Sequence, residues 1–136
     1  MSRRQARDMA FKVLFQVDQV NADPAFAMSV LLEEKKMLPQ DVSYAQDLIN
    51  GVLNNQEQID SVLHEHSRTW KIERMFSVDR VLLRLGIYEV MIEPGLPTTI
   101  AIDEAVELGK RYGEISTPGF VNAVLDQVKT TYEKIV

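Results

Sequence analysis

Apolar residues recur along this chain three and four positions apart. Ala10, Val13, Leu14 and Val17 form one such stripe. Ala45, Leu48, Ile49 and Val52 form a second, and Ile59, Val62, Leu63 and His66 a third. The pattern returns in Ile102, Ala105, Val106 and Gly109, and again in Val121, Val124, Leu125, Val128, Tyr132 and Ile135. That spacing puts each set on one face of an α-helix. Few runs alternate with period two, so the pattern predicts an all-α fold.

The breaks between stripes agree with this. Asn21-Ala22-Asp23-Pro24 separates a first helix from a second that ends near Lys36. Leu38-Pro39-Gln40-Asp41 reads as a loop before the third, and Glu93-Pro94-Gly95-Leu96-Pro97 is the clearest break in the chain. Gly113 follows Lys110 and Arg111, a helix C-terminal signature. Thr117 precedes Pro118, which suits an N-cap followed by proline at the first helical position. Residues 77–92 differ from the rest. Val78, Val81, Leu82, Leu83, Leu85, Ile87, Val90, Met91 and Ile92 cover most of that helix's circumference, which predicts a central helix buried on several sides. Gly86 within it predicts a close helix approach, since glycine otherwise costs about 1 kcal/mol in a helix interior. A split near Arg68 divides one domain, residues 1–136, into an N-terminal three-helix half (about 1–68) and a C-terminal half (about 69–136) that share a core.

Composition narrows the class. With 136 residues, 46% of them hydrophobic, the chain is long enough for a real core. It has no cysteine, which excludes disulfides, thiolate metal sites and cysteine nucleophiles. No apolar run approaches a membrane span, and no signal core follows the basic N-terminus, because Lys12 and Gln16 interrupt residues 9–17. These features predict a soluble cytoplasmic protein with no membrane association.

Catalytic constellations are missing one by one. The only histidines, His64 and His66, are two apart and point to nearly opposite faces of a helix, so they cannot clamp one metal. His66 reads as a core-edge residue and His64 as a solvated one. Asp103, Glu104 and Glu107 lack the Glu-x-x-His partner of carboxylate metal sites in bundles, and Glu107 can pair with Arg111 on the surface. Gly109-Lys110-Arg111-Tyr112-Gly113 lacks the spacing of a phosphate loop, and no Gly-x-Ser-x-Gly elbow occurs. The expectation is a protein that is not an enzyme, with no catalytic residue, metal or cofactor.

Charge changes that picture from negative to positive. Arg3, Arg4, Arg7 and Lys12 against Asp8 give the first twelve residues +3, so the remainder carries −8 of the total −5. Arg3 and Arg7 share a helix face with Arg4 beside them. Guanidinium forks bind phosphate bidentately and stack on bases. A helix N-terminus prefers negative charge, so arginines there cost stability unless an anion offsets them. Nucleic-acid phosphate is the candidate anion.

Several blocks then carry a resemblance. They are Arg3-Arg4-x-Ala6-Arg7 with Ala10-x-x-x-Leu14-Phe15-Gln16, then Gly51-Val52-Leu53 and Trp70, then the run from Val78-Asp79-Arg80 to Gly86-Ile87-Tyr88-Glu89. Pro97 with Ala101-Ile102-Asp103-Glu104-Ala105-Val106-Glu107-Leu108 follows, and Phe120-Val121-Asn122-Ala123-Val124-Leu125-Asp126 closes the series. Weak singly, these blocks occur in family order over nearly the whole chain, which resembles the NusB transcription antitermination family. The resemblance implies a compact all-helical bundle of two three-helix-like halves. It implies an RNA-binding adaptor that pairs with NusE, a small-subunit ribosomal protein, on the single-stranded boxA element of ribosomal RNA leader transcripts. Through that pair it acts indirectly on the RNA polymerase elongation complex.

By position, the resemblance assigns Arg3, Arg4 and Arg7 to RNA. Phe120 is assigned to base stacking, with Ser116 and Thr117 in the adjoining loop. Phe15 and Asp79 are assigned to the NusE-facing surface. Asp79 is also a first-turn carboxylate favoured by the helix dipole. Asn122 and Glu104 are expected as structural hydrogen-bonding positions, with Ala123 replacing the family's usual glycine. Relatives include monomers and homodimers that cover the arginine patch, so a homodimer stays open. Two rivals stand beside this reading. One is the related helical domain at the N-terminus of ribosomal RNA cytosine methyltransferases, which this chain's single-domain length disfavours. The other is a purely structural interaction module.

Overall fold

The computed structural model describes residues 3–67, 71–93 and 95–132. Trp70, Pro94, Ile135 and the expected division point Arg68 lie outside the described residues. Among the described residues seven α-helices follow one another: α1 (Arg3–Val20), α2 (Pro24–Glu34), α3 (Pro39–Asn54), α4 (Gln56–His66), α5 (Ser77–Met91), α6 (Thr98–Tyr112) and α7 (Thr117–Thr131). A 3₁₀ turn, Ile72–Arg74, precedes α5, and no strand occurs among the described residues. No helix among them is long and apolar enough to cross a membrane.

The chain forms two compact units, residues 1–54 and 55–136. The first contains α1, α2 and α3, with α1 packing on both α2 and α3. Ala6, Met9, Ala10, Phe11, Val13 and Leu14 are the buried apolar residues of α1, and Ala45, Leu48, Ile49 and Val52 those of α3. Asn21 ends α1 with φ of 54°, a left-handed conformation that asparagine tolerates. Asp23 caps α2 by accepting from the Phe26 N–H at 3.0 Å, with Pro24 in the first turn. The stretch 38–41, expected as a loop, already belongs to α3 from Pro39 onward. The N–H groups of Asp41 and Val42 both donate to the Leu38 carbonyl, because proline's fixed φ suits the first helical position.

The second unit gathers α4 to α7, so α4 packs with the helices that follow it. Arg84 on α5 donates two hydrogen bonds to Asp60 on α4, at 2.8 and 3.0 Å, a forked geometry. His66 sits at the edge of this core: Nδ1 lies 2.8 Å from the Val62 carbonyl and Nε2 3.2 Å from Thr131 Oγ1, with His64 exposed. Beside it the Tyr132 phenol donates to Glu65 at 2.6 Å, and that bond holds its pKa above the ordinary tyrosine value. At the centre is α5, where Val81, Leu82, Leu83, Leu85, Gly86, Ile87 and Val90 are buried. Consecutive buried positions leave little of its circumference to solvent, as the apolar pattern predicted. Helices α4, α6 and α7 all pack on it.

Gly86 makes the expected close approach, and its partner is Leu125 of α7. A Cβ at position 86 would stand 2.6 Å from Leu125 Cδ1. Leu125 is itself fully buried, so it has little room to yield. Gly86→Ala gains about 1 kcal/mol of helix propensity and loses about 1–3 kcal/mol to overpacking. A net loss of about 1 kcal/mol in urea denaturation is expected, partly recovered by adding Leu125→Val. A stabilised Gly86→Ala protein would contradict the close approach.

Candidate nucleic-acid interface

Two groups of side chains, one in each unit, could meet a nucleic acid. In the first unit Arg3 and Arg4 are exposed at the start of α1, whose first turn has no acidic residue. Lys12, the fourth cation of this end, is paired with Asp8 at 3.2 Å. Arg7 is not on the surface: it is 4% exposed and lies beside Tyr44 of α3. Its guanidinium carbon is 5.8 Å from the Tyr44 ring centroid, and Nη2 donates a long bond of 3.5 Å to the phenol oxygen. Arg3 lies over the same ring at 4.5 Å. The three arginines therefore divide into two exposed cations and one buried one, because Arg7 falls on the face of α1 that carries Ala10 and Leu14. Tyr44, which sequence reasoning missed, is the residue that Arg3 and Arg7 share. Its only signal was an aromatic placed next to the apolar stripe that begins at Ala45.

Asp41, one turn before Tyr44, is 97% buried, and its Oδ2 has no hydrogen-bond partner. A carboxylate in the first turn of a helix gains from the positive end of the dipole, which offsets part of that burial.

In the second unit a pocket of about 280 Å³ is lined by Arg74, Met75, Phe76, Asp79, Ser116 and Phe120. Its two walls are held by different devices. Arg80 donates to the carbonyls of Ile72 and Met75 at 3.0 and 3.3 Å, which fixes the turn that presents Arg74 and Phe76. Opposite, Thr117 is fully buried; its hydroxyl donates to Asp79 at 2.6 Å and accepts from the Glu114 N–H at 3.0 Å. Thr117 is thus the first residue of α7 rather than its N-cap, which is Ser116. The hydroxyl reaches across to α5 instead of capping its own helix. Gly113 is the C-cap of α6 as expected, but its φ of −97° is open to any residue. Glycine is needed there for clearance, since a Cβ would stand 2.5 Å from Thr117 Cβ.

These facts sort the expected site residues. Phe120 lines the pocket and is half-buried, and Ser116 is exposed at its edge. Thr117 is fully buried with its hydroxyl proton given to Asp79, so its side chain is not at the surface. Asp79, 5% exposed, is committed to Thr117 and reaches a visitor only through the pocket it lines. Phe15 is half-buried, its ring 5.8 Å from that of Phe11. Asn122, expected in a structural hydrogen bond, is exposed on α7, and Glu104 is half-buried. On the surface of α6, Glu107 pairs with Lys110 at 3.3 Å. Phe76 was missed, although an aromatic outside every apolar stripe, just after Arg74, was a legible signal. It is 63% exposed.

A family model described as the NusB family matches residues 4–130. A transcription antitermination protein NusB of Syntrophomonas wolfei is 44% identical, over 94% of this chain and 96% of that protein. The chain belongs to the NusB family. Its relatives are named as transcription antitermination proteins, which are not enzymes. Among solved structures, NusB of T. maritima superposes with a TM-score of 0.90 at 32% identity, covering 97% of this chain and 93% of that one. A crystal structure of antitermination factors NusB and NusE in complex with double-stranded RNA matches with a TM-score of 0.89 at 30% identity, over 96% of this chain and 98% of that one. The all-α fold expected from the stripes is the NusB fold.

In this NusB-family chain the Thr117–Asp79 bond is a buried, charge-assisted contact between α5 and α7. Such bonds contribute about 1.5–3 kcal/mol. Thr117→Val should lower unfolding stability by about 2 kcal/mol, while Thr117→Ser, which keeps the hydroxyl, should cost less. Chemical denaturation of both variants checks this, and an unchanged Thr117→Val protein would remove the bond from its structural role.

Proposed function

We propose that this protein is an RNA-binding antitermination adaptor that joins boxA RNA of ribosomal RNA leader transcripts together with NusE. The observation that carries the reading is the start of α1. Arg3 and Arg4 are exposed where the helix dipole favours an anion, and the first turn holds no carboxylate. In a chain of net charge −5 this end is the one suited to phosphate. The NusB–NusE complex with double-stranded RNA formed by a relative supports RNA and NusE as ligands. The preference for an unpaired strand is inferred from the second unit. Phe120 and Phe76 line an apolar pocket with a cation, Arg74, and unpaired bases stack on aromatic rings. Phe15 and Asp79 are assigned to NusE, a basic partner for an acidic protein, and the NusB–NusE pair acts on the elongating RNA polymerase.

The test is a fluorescence titration of labelled boxA RNA, with and without NusE, at several salt concentrations. Each phosphate contact on a single strand contributes about 0.7 to the slope of log K against log salt. Arg3→Ala/Arg4→Ala should weaken binding and reduce that slope by about 1.4. Phe120→Ala should weaken binding by about 1–3 kcal/mol with the slope unchanged, since stacking displaces no counterion. Wild-type affinity in the arginine double variant, or no enhancement by NusE, would sink the reading. Light scattering on the same samples reports whether self-association competes with RNA.

A further inference from the structure

Resting on the RNA-binding reading above, we propose that Tyr44 is a platform that holds Arg3 flat, so that an unpaired base stacks on the outer face of the guanidinium. The geometry is a chain of supports. Tyr44 projects from α3, and the buried Arg7 steadies it by the 3.5 Å bond to its phenol oxygen. Its ring in turn carries Arg3, whose guanidinium carbon is 4.5 Å from the centroid. Arg3 is exposed and has no ion pair or hydrogen bond among the described residues, so its N–H fork and its outer face are both unspent.

Three physical points favour a nucleotide there. A guanidinium is planar and weakly hydrated, so a face turned away from one ring accepts a second π surface. The fork lies in the plane of the group, so a phosphate at its edge and a base on its face do not compete. A free arginine at a helix end would lose much rotamer freedom on binding; one already laid on Tyr44 loses less. Tyr44 is therefore a positioning residue, and Arg3 the residue that touches RNA.

The experiment uses the full chain, with NusE, and two labelled strands of equal length and charge: single-stranded boxA RNA and its abasic counterpart. Arg3→Lys, a surface change that keeps the charge, should lose on the order of fivefold in affinity for the RNA with the same salt slope. On the abasic strand, where only the phosphate contact remains, it should lose clearly less. Tyr44→Leu should give a similar loss on the RNA alone, Tyr44→Phe, which keeps the ring but not the bond to Arg7, should recover most of it, and Tyr44→Leu should add nothing in the Arg3→Lys background. Equal affinity of Arg3→Lys for RNA, equal losses on both strands, or additive losses would overturn the stack. If Tyr44→Leu melts early by circular dichroism, the Arg3→Lys comparison decides alone. Failure of the wild type to bind either strand overturns the adaptor reading, and this inference with it. Binding by the wild type with the variants unchanged overturns only the stack.

Discussion

Within the packing of α7 on α5, two contacts fix where the helix sits, and the pocket of the second unit depends on them. At the start of α7 the Thr117 hydroxyl donates to the buried Asp79 carboxylate. Two turns on, Leu125 lies against the bare backbone of Gly86. One contact is polar and directional, so it sets the register of the helix. The other is steric, so it sets the distance. Between them sits Phe120, whose place in the pocket follows from that register. Gly113 belongs to the same device, because the turn from α6 must pass Thr117 without a Cβ in the way. Arg80 does the matching work opposite, by bonding the carbonyls of the turn that presents Phe76.

In the first unit the governing constraint is the burial of a charge. Arg7 is a guanidinium almost out of solvent, and such a group persists only with partners that take its N–H groups and its charge. Tyr44 is one of them. The aromatic that accommodates Arg7 also carries Arg3, so a structural need and a binding surface meet in one ring. Three arginines that look equivalent along the chain are thus unequal in the fold.

Much of this was legible before any coordinates. The apolar stripes named the buried faces of α1, α3, α4, α6 and α7, because helix periodicity is a local property. Asn21-Ala22-Asp23-Pro24 marked the break before α2, because turn and proline chemistry acts within one turn. The near-continuous apolar run marked α5 as central, and Gly86 as a point of close approach. Other features were not legible. Nothing local told Thr117 to reach an aspartate 38 positions away rather than cap its own helix. The placement of α4 with the later helices came from its packing on α5, including the Arg84–Asp60 fork. Arg7 could be assigned to the buried face by its spacing from Ala10 and Leu14, yet the charge drew attention from that spacing.

The sequence by itself determined the fold class, most helix boundaries, the separation of positive and negative charge, and the family. Each of these is written in neighbours one to four residues apart or in blocks of fixed order. Only the tertiary structure decided which cations are exposed, which carboxylate is spent inside, and which aromatics share a pocket. Those outcomes turn on contacts between residues remote in the chain. Burial and hydrogen-bond partners are properties of the packed whole, and no residue carries them alone.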